Sequence, residues 1–386
     1  MPVINSIAAA APEMKTWRRH LHRHPELNFD CHGTAAFIVE RLKAFGITDI
    51  HTGIATSGVI AIIDSGVPGP TIGLRADMDA LPIAEATGAE HASTVPGTMH
   101  ACGHDGHTTM LLGAAKYLAE TCNFRGRVAL IFQPAEEDGG GGEVMVREGA
   151  MDRFEIERIF AIHNIPGAPE GAFYTTPGPI MAAVDTVTVE ITGKGGHGAY
   201  PQDTLDPIPP ALAIAQAFGT IVSRNNRSLD DLVVSVTQIH SGSASNVIPD
   251  TAMLNGTVRT FDPAVQDMVE RRMGEIVDGT AAAFNVTAQL TYERGYPATI
   301  NDPEQTAFAA RVAREVVGDA AVVDDGNREM GAEDFAYMLQ ARPGAYLFLG
   351  AGAGAGLHHP EFDFNDDIAP IGASFLARIV ETANPA

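Results

Sequence analysis

The sequence predicts an α/β protein in two parts: a larger domain of alternating strands and helices, and a ferredoxin-like domain of order β-α-β-β-α-β inserted into it. Three observations predict it. Short apolar runs at 126–132, 159–164 and 345–349 are of buried-strand type. From about Val184 the pattern changes to half-exposed alternation, with strands over 184–192, 232–239, 251–261 and 286–294 and apolar-periodic helices over 206–224 and 263–284. That order is the split βαβ arrangement. The αβ alternation of the larger part then resumes near Thr299. The boundaries follow: 1–183 and 296–386 form one discontinuous domain, and 184–295 the insertion. A chain of 386 residues has room for both.

The opening segment, 1–8, carries no basic stretch and only a short apolar run, so it does not read as a secretory signal. No run approaches the length of a membrane span, so no membrane partner is expected. The three cysteines, Cys31, Cys102 and Cys122, are too few for a disulfide framework, and their odd number fits a reducing compartment. A cytoplasmic location is therefore expected. The 25 basic and 48 acidic side chains leave a net charge of −23, a field that disfavours nucleic acid and anionic lipid. It also repels an anionic small molecule, which would need a local cation to receive it.

The densest chemistry lies in 99–107, where Cys102, His100, His104, His107 and Asp105 stand together. Thiolate and neutral imidazole are common ligands of zinc-like ions. Cys102 and His104 are two apart, too close to share a helical face, which places both on an irregular turn before a helix over 108–118. A polar turn with capping residues is the competing reading.

Other strand ends carry further donors. The run 126–132 leads into Gln133-Pro134-Ala135-Glu136-Glu137-Asp138 and then four glycines, 139–142, which read as a flexible loop. Adjacent acids at the end of a buried strand are costly unless solvated, paired or metal-bound. The run 159–164 brings His163, and 345–349 leads through a Gly/Ala loop, 351–356, to His358 and His359. Ligands gather at the carboxyl ends of strands in open α/β sheets. A single histidine at such a place is more often structural. Taken together the ends offer five or more ligands, enough for two metals, and a two-metal site can activate water while polarising a carbonyl. The residues alone do not say which of Glu136 and Glu137 is a ligand and which a base.

With these stretches stand Arg18-Arg19-His20-Leu21-His22, His24-Pro25-Glu26-Leu27, Arg75-Ala76-Asp77-Met78-Asp79-Ala80-Leu81-Pro82 and Gly193-Lys194-Gly195-Gly196-His197-Gly198-Ala199-Tyr200-Pro201. They are joined by Ser245-Asn246-Val247-Ile248-Pro249-Asp250, Gly256-Thr257-Val258-Arg259-Thr260, Gly331-Ala332-Glu333-Asp334-Phe335 and His358-His359-Pro360-Glu361-Phe362. In order and spacing, almost end to end, the chain resembles the M20 metallopeptidase family. The resemblance is to its amidohydrolase branch of hippurate hydrolases, N-acyl-L-amino-acid amidohydrolases and plant auxin-conjugate hydrolases.

The resemblance implies a catalytic metal-binding domain with a mixed sheet flanked by helices, and an inserted dimerisation domain. It implies that Cys102, His104, Glu137, His163 and His358 hold two divalent ions per subunit, with Cys102 between them. Zn²⁺ or Mn²⁺ is expected, and Co²⁺ or Ni²⁺ is compatible with the same donors. His358 is favoured over His359. Glu136 becomes the general base and acid, Asp79 orients the metal site, and Asp105, with Asp77, is a further candidate to support it; a loop cap is the alternative for Asp77 and Asp105. His197 would reach a neighbouring subunit's site to stabilise an oxyanion, where a Gly-rich turn histidine is the alternative. Asn246 and Arg259 would grip the substrate's α-carboxylate, where a surface ion pair is the alternative for the arginine. The implied reaction is hydrolysis of an N-acyl-L-amino acid, hippurate-like or N-acetyl, by a homodimer or tetramer. A dipeptidase and an N-acetyldiaminopimelate deacetylase are the related alternatives.

Overall fold

Apolar runs flanked by short turns become the inner strands of a mixed eight-stranded sheet. Its order is Asp49–Ile54, Gly58–Asp64, Arg127–Gln133, Thr71–Asp77, Ile156–Ile165, Gly344–Gly350, Phe173–Tyr174 and Val322–Val323. The four inner strands Arg127–Gln133, Thr71–Asp77, Ile156–Ile165 and Gly344–Gly350 run parallel to one another. They are buried along nearly their whole length, as strands covered on both faces by helices must be. Asp77 is level with Gln133 and His163 with Phe348, so the carboxyl ends that carry the acids and histidines lie along one edge. The computed structural model describes residues 3–326 and 328–386, and the first two residues of the opening segment lie outside them.

The chain divides into two units. The larger comprises Met1–Ile180, Thr299–Arg328 and Asp334–Ala386, and the smaller Met181–Ala298 with Glu329–Glu333. In the larger unit the helices Ala11–Arg23, His104–Thr121, Pro303–Val317 and Ala369–Ala383 bury apolar faces, with Met14, Trp17, Leu111, Leu118, Phe308, Phe375 and Val380 in one core. Asp302 caps the helix Pro303–Val317 by accepting from Gln305 N at 2.9 Å, and proline follows at the first helical position, whose missing N–H costs nothing there. Among the described residues no helix is long and apolar enough to cross a membrane.

In the smaller unit the strands Leu232–Ser241, Thr251–Thr260, Ala183–Thr192 and Thr287–Arg294 lie side by side in that order, each pair antiparallel. This is the ferredoxin-like order. The strand Ala183–Thr192 alternates in burial, and Val187, Val189 and Ile191 pack beneath Ile214 and Phe218 of the helix Ile208–Thr220 and Val269, Met273 and Val277 of the helix Pro263–Phe284.

Two local expectations are corrected. His104 does not sit on a turn: Gly103, at φ +94°, caps the helix His104–Thr121, so only Cys102 remains on the turn. The run 139–142 is not a loop throughout, because the helix Gly141–Arg147 begins inside it. A Cβ on Gly141 would stand 1.8 Å from Pro134 O, and Gly142 N donates to Asp334 Oδ2 at 2.7 Å. The glycines serve close backbone approach here.

Candidate active site

The site begins with Asp79, buried just beyond the strand Thr71–Asp77. Its two carboxylate oxygens accept from Glu136 N and Glu137 N, each at 3.1 Å. That geometry needs a sharp reversal after Gln133, which Ala135 supplies at φ +58°. The Asp79 carbonyl accepts from His104 Nδ1 at 2.9 Å. One residue thus orients three side chains.

Two imidazoles are set in the same way. With Nδ1 of His104 on a carbonyl, its Nε2 faces Asp77 Oδ2 at 3.7 Å, Glu137 Oε1 at 3.8 Å and Glu136 Oε2 at 3.9 Å. His163 Nδ1 donates to Asn164 O at 2.7 Å, and its Nε2 faces Cys102 Sγ at 3.4 Å. Anchoring Nδ1 on a carbonyl selects the tautomer whose Nε2 lone pair is free for a ligand. His358 Nε2 lies 3.4 Å from Glu137 Oε2. Donor atoms of Cys102, Glu137 and His358, and of His104, Glu136 and Glu137, lie within 4.8 Å of one another in each set.

The electrostatics ask for a cation. His104 Nε2 and Glu137 Oε1 are buried with no hydrogen-bond partner among the described residues. Burial pushes the Cys102 thiol well up, and the carboxylates of Glu137, Glu136 and Asp77 push it further. Burial lowers His104, but Asp77, Asp79 and Glu137 outweigh it and bring the imidazole to about 10. Burial, with His107 beside it, holds His163 well below the usual histidine value, in the neutral form a ligand needs. A thiol, imidazoles and carboxylates aimed at one space fit a divalent ion.

Not every candidate joins this cluster. Asp105 turns away, pairing with His22 Nδ1 at 2.8 Å and lying 3.8 Å from Arg18 Nη1. His359 Nδ1 accepts from Glu361 N at 3.1 Å and closes a turn. Met99, Phe335 and Phe362, which stand beside the motifs, are buried. Three candidates belong to the smaller unit. His197 is exposed and lies on a short strand pair with Val247, and Gly198 N donates to Asn246 O at 2.8 Å, so His197 and Asn246 are neighbours. Arg259 is on a different sheet, half-buried, with Nη1 donating to Thr257 Oγ1 at 2.5 Å and Val258 O at 3.2 Å.

The sequence places His107 in the dense stretch 99–107 and Asn164 beside His163 but assigns neither a role. His107 Nδ1 lies 2.6 Å from Asp77 Oδ1, and its Nε2 lies 2.6 Å from Asn164 Oδ1. Asp77 Oδ2 in turn accepts from Arg75 Nη1 at 2.8 Å, and Arg75 Nη2 reaches Asp334 Oδ1 at 3.1 Å. The available signal was the i, i+3 spacing of His104 and His107, which puts both on one face of the helix.

Fold and site together define a class: an α/β protein with a cation-receiving cluster at the carboxyl edge of its parallel strands. The particular family follows from comparison with known proteins. Residues 73–382 match peptidase family M20/M25/M40. The chain is 37% identical to the hippurate hydrolase of Campylobacter jejuni over 379 residues, covering 98% of each chain. It is 43% identical to the N-acetyl-L-cysteine deacetylase of Bacillus subtilis over 360 residues, covering 93% of this chain and 85% of that one. Its structure superposes on the YXEP protein of Bacillus subtilis, a dinuclear metal binding peptidase from the M20 family. That likeness has a TM-score of 0.86 at 33% identity and covers 98% of this chain and 99% of that one. The chain belongs to the M20 peptidase family and is a hydrolase of amide bonds.

Proposed function

We propose that this enzyme hydrolyses N-acyl-L-amino acids to an amino acid and a carboxylate, using two divalent ions held by Cys102, His104, Glu137, His163 and His358. One observation carries the reading: His104 Nε2 and Glu137 Oε1 are buried, unpartnered among the described residues, and 3.8 Å apart. The substrate class rests on relatives named for hippurate, N-acetyl-L-cysteine and IAA-amino acid hydrolysis, all of them N-acyl amino acids. When bound, the ions polarise the amide carbonyl and lower the pKa of the attacking water.

The chain's own groups do the rest. Glu136, 7% exposed and 3.9 Å from His104 Nε2, takes the proton of the attacking water and delivers it to the leaving nitrogen. Asp79 fixes both glutamates through their backbone N–H groups. Arg259 spends one nitrogen on a hydroxyl and a carbonyl, leaving the rest of its fork for the substrate's α-carboxylate, with Asn246 as a second donor. His197 donates to the developing oxyanion of a partner subunit's site, which makes the working form a homodimer.

The test is hydrolysis of hippurate, N-acetyl-amino acids, N-acetyldiaminopimelate and dipeptides by chelated protein reloaded separately with Zn²⁺, Mn²⁺, Co²⁺ and Ni²⁺. Activity on the first two classes that vanishes with chelation and returns with an ion is expected. Glu136→Gln should lower the rate about 10²–10⁴-fold with the bound metal unchanged. A loss of less than about tenfold would refute its role.

A further inference from the structure

The Arg18 motif takes no part in the reaction proposed above, yet Arg18 is among the most deeply buried side chains, 1% exposed on the helix Ala11–Arg23. A buried guanidinium is retained only where acids satisfy it. Its Nε donates to Asp366 Oδ1 at 2.6 Å and its Nη1 to Asp363 Oδ1 at 2.9 Å. Both aspartates lie on the segment that follows His358. Nη1 also lies 3.8 Å from Asp105 Oδ2, in the first turn of the helix that begins with His104. His91 Nε2 lies 3.0 Å from Asp363 and reinforces that corner.

His358 needs such support. Its side chain is 53% exposed, it stands at φ +62°, and its contact with the other donors is Glu137 at 3.4 Å. Its position is therefore set by its backbone. That backbone is pinned by His358 N donating to Ala101 O at 2.8 Å, by Ala86 N donating to Pro360 O at 2.8 Å, and by the two aspartates on Arg18. Phe364 packs where a Cβ on Gly106 would come within 2.2 Å, so the segment leans on the same helix end that Arg18 faces.

We propose that Arg18 is a positioning residue for the metal centre: it clamps the His358 segment to the N-terminus of the His104 helix and so sets the affinity of the Cys102–Glu137–His358 side for its ion. This rests on the metal-site reading above. Groups that support a ligand from behind alter metal affinity by about 10–100-fold when lost.

The experiment titrates chelated protein with Zn²⁺ alone and follows both binding steps by calorimetry, in wild type, Arg18→Gln, Arg18→Lys, Asp366→Asn and His358→Asn. Hydrogen exchange over 357–366 is read on the same proteins. The expected result is one step weakened about 10–100-fold in Arg18→Gln and Asp366→Asn, the other within about threefold, and faster exchange in 357–366. Arg18→Lys, which keeps the charge but not the fork, should recover part of the affinity. His358→Asn must weaken the same step. If no variant, His358→Asn included, weakens a step, the metal-site reading fails. If His358→Asn does and the folded Arg18 and Asp366 variants leave both steps within threefold, or weaken both equally, the Arg18 inference is overturned. Should Arg18→Gln not fold, Asp366→Asn decides, because it removes one acid and leaves the arginine buried with Asp363.

Discussion

Replacing Gly103 by alanine tests whether one backbone turn fixes the donors. At φ +94° an L-residue pays about 1–2 kcal/mol for the left-handed conformation. The new Cβ would also stand 2.1 Å from Asn164 Oδ1 and 2.8 Å from its Cγ. Asn164 is buried, and its Oδ1 is the 2.6 Å partner of His107 Nε2. Relieving the clash moves the amide and strips a buried imidazole of a partner, at about 1–3 kcal/mol. The sum is about 2–5 kcal/mol. Gly46 supplies the control: it has φ +84° with nothing within 4 Å of where a Cβ would stand, so Gly46→Ala carries the backbone cost alone. Urea denaturation of the chelated proteins, with slopes compared as well as midpoints, measures both. Gly103→Ala should be the more destabilised by about 1–3 kcal/mol and should bind Zn²⁺ more weakly. Equal losses in the two variants would mean that Asn164 and His107 are not held as described.

Ala135 at φ +58° should accept glycine with little change, whereas Ala135→Val should lose about 1–3 kcal/mol in the same denaturation assay and slow hydrolysis by misplacing Glu136. Asp302→Ala should cost about 0.5–2 kcal/mol by uncapping the helix Pro303–Val317, with activity unchanged. His22 offers a pH test. Burial lowers it, but hydrogen bonds with Asp105 and Glu85 outweigh that and raise it to about 9. A raised folded pKa stabilises fully below the unfolded value near 6.5, and that contribution fades as pH rises through about 9. Stability measured between pH 6 and pH 9.5 should therefore fall more steeply in wild type than in His22→Asn; parallel profiles would remove His22 from the account.

The inner strands and the ferredoxin-like order were legible because burial is written in local periodicity: the apolar run of five, 128–132, inside the strand Arg127–Gln133 has few other places to go. The cluster of Cys102, His104, Glu136 and Glu137 was legible because its members crowd two short stretches, one at the start of a helix and one after a buried strand. What escaped depends on partners far away in sequence. Asp105 looks like its neighbour His104, and only the fold brings His22 and Arg18 to it and turns it away. The glycines 139–142 look like a loop until Asp334, nearly two hundred residues on, receives Gly142 N and lets a helix start. His107 escaped for a third reason. It is plain in the stretch 99–107, but nothing in the sequence tells an imidazole that ties Asp77 and Asn164 together from one that is left open for an ion.

That last point separates the two tasks the histidines perform. His104 and His163 each spend Nδ1 on a backbone carbonyl and keep Nε2 open toward the acids and the thiol. His107 lies beside both, with ring centroids 5.5 Å from His104 and 4.4 Å from His163, and has Nδ1 on the Asp77 carboxylate and Nε2 against the Asn164 amide side chain and backbone N. Its partners sit on two parallel strands, Asp77 on Thr71–Asp77 and Asn164 on Ile156–Ile165, while it rides on the helix. It therefore ties three elements together behind the two imidazoles that remain open. His107→Phe keeps a ring there and removes both ties, so it should weaken Zn²⁺ binding by about 10–100-fold at a site whose five proposed ligands are all still present. Calorimetric affinities equal to wild type in the folded variant would show that the strand ends hold their spacing without it.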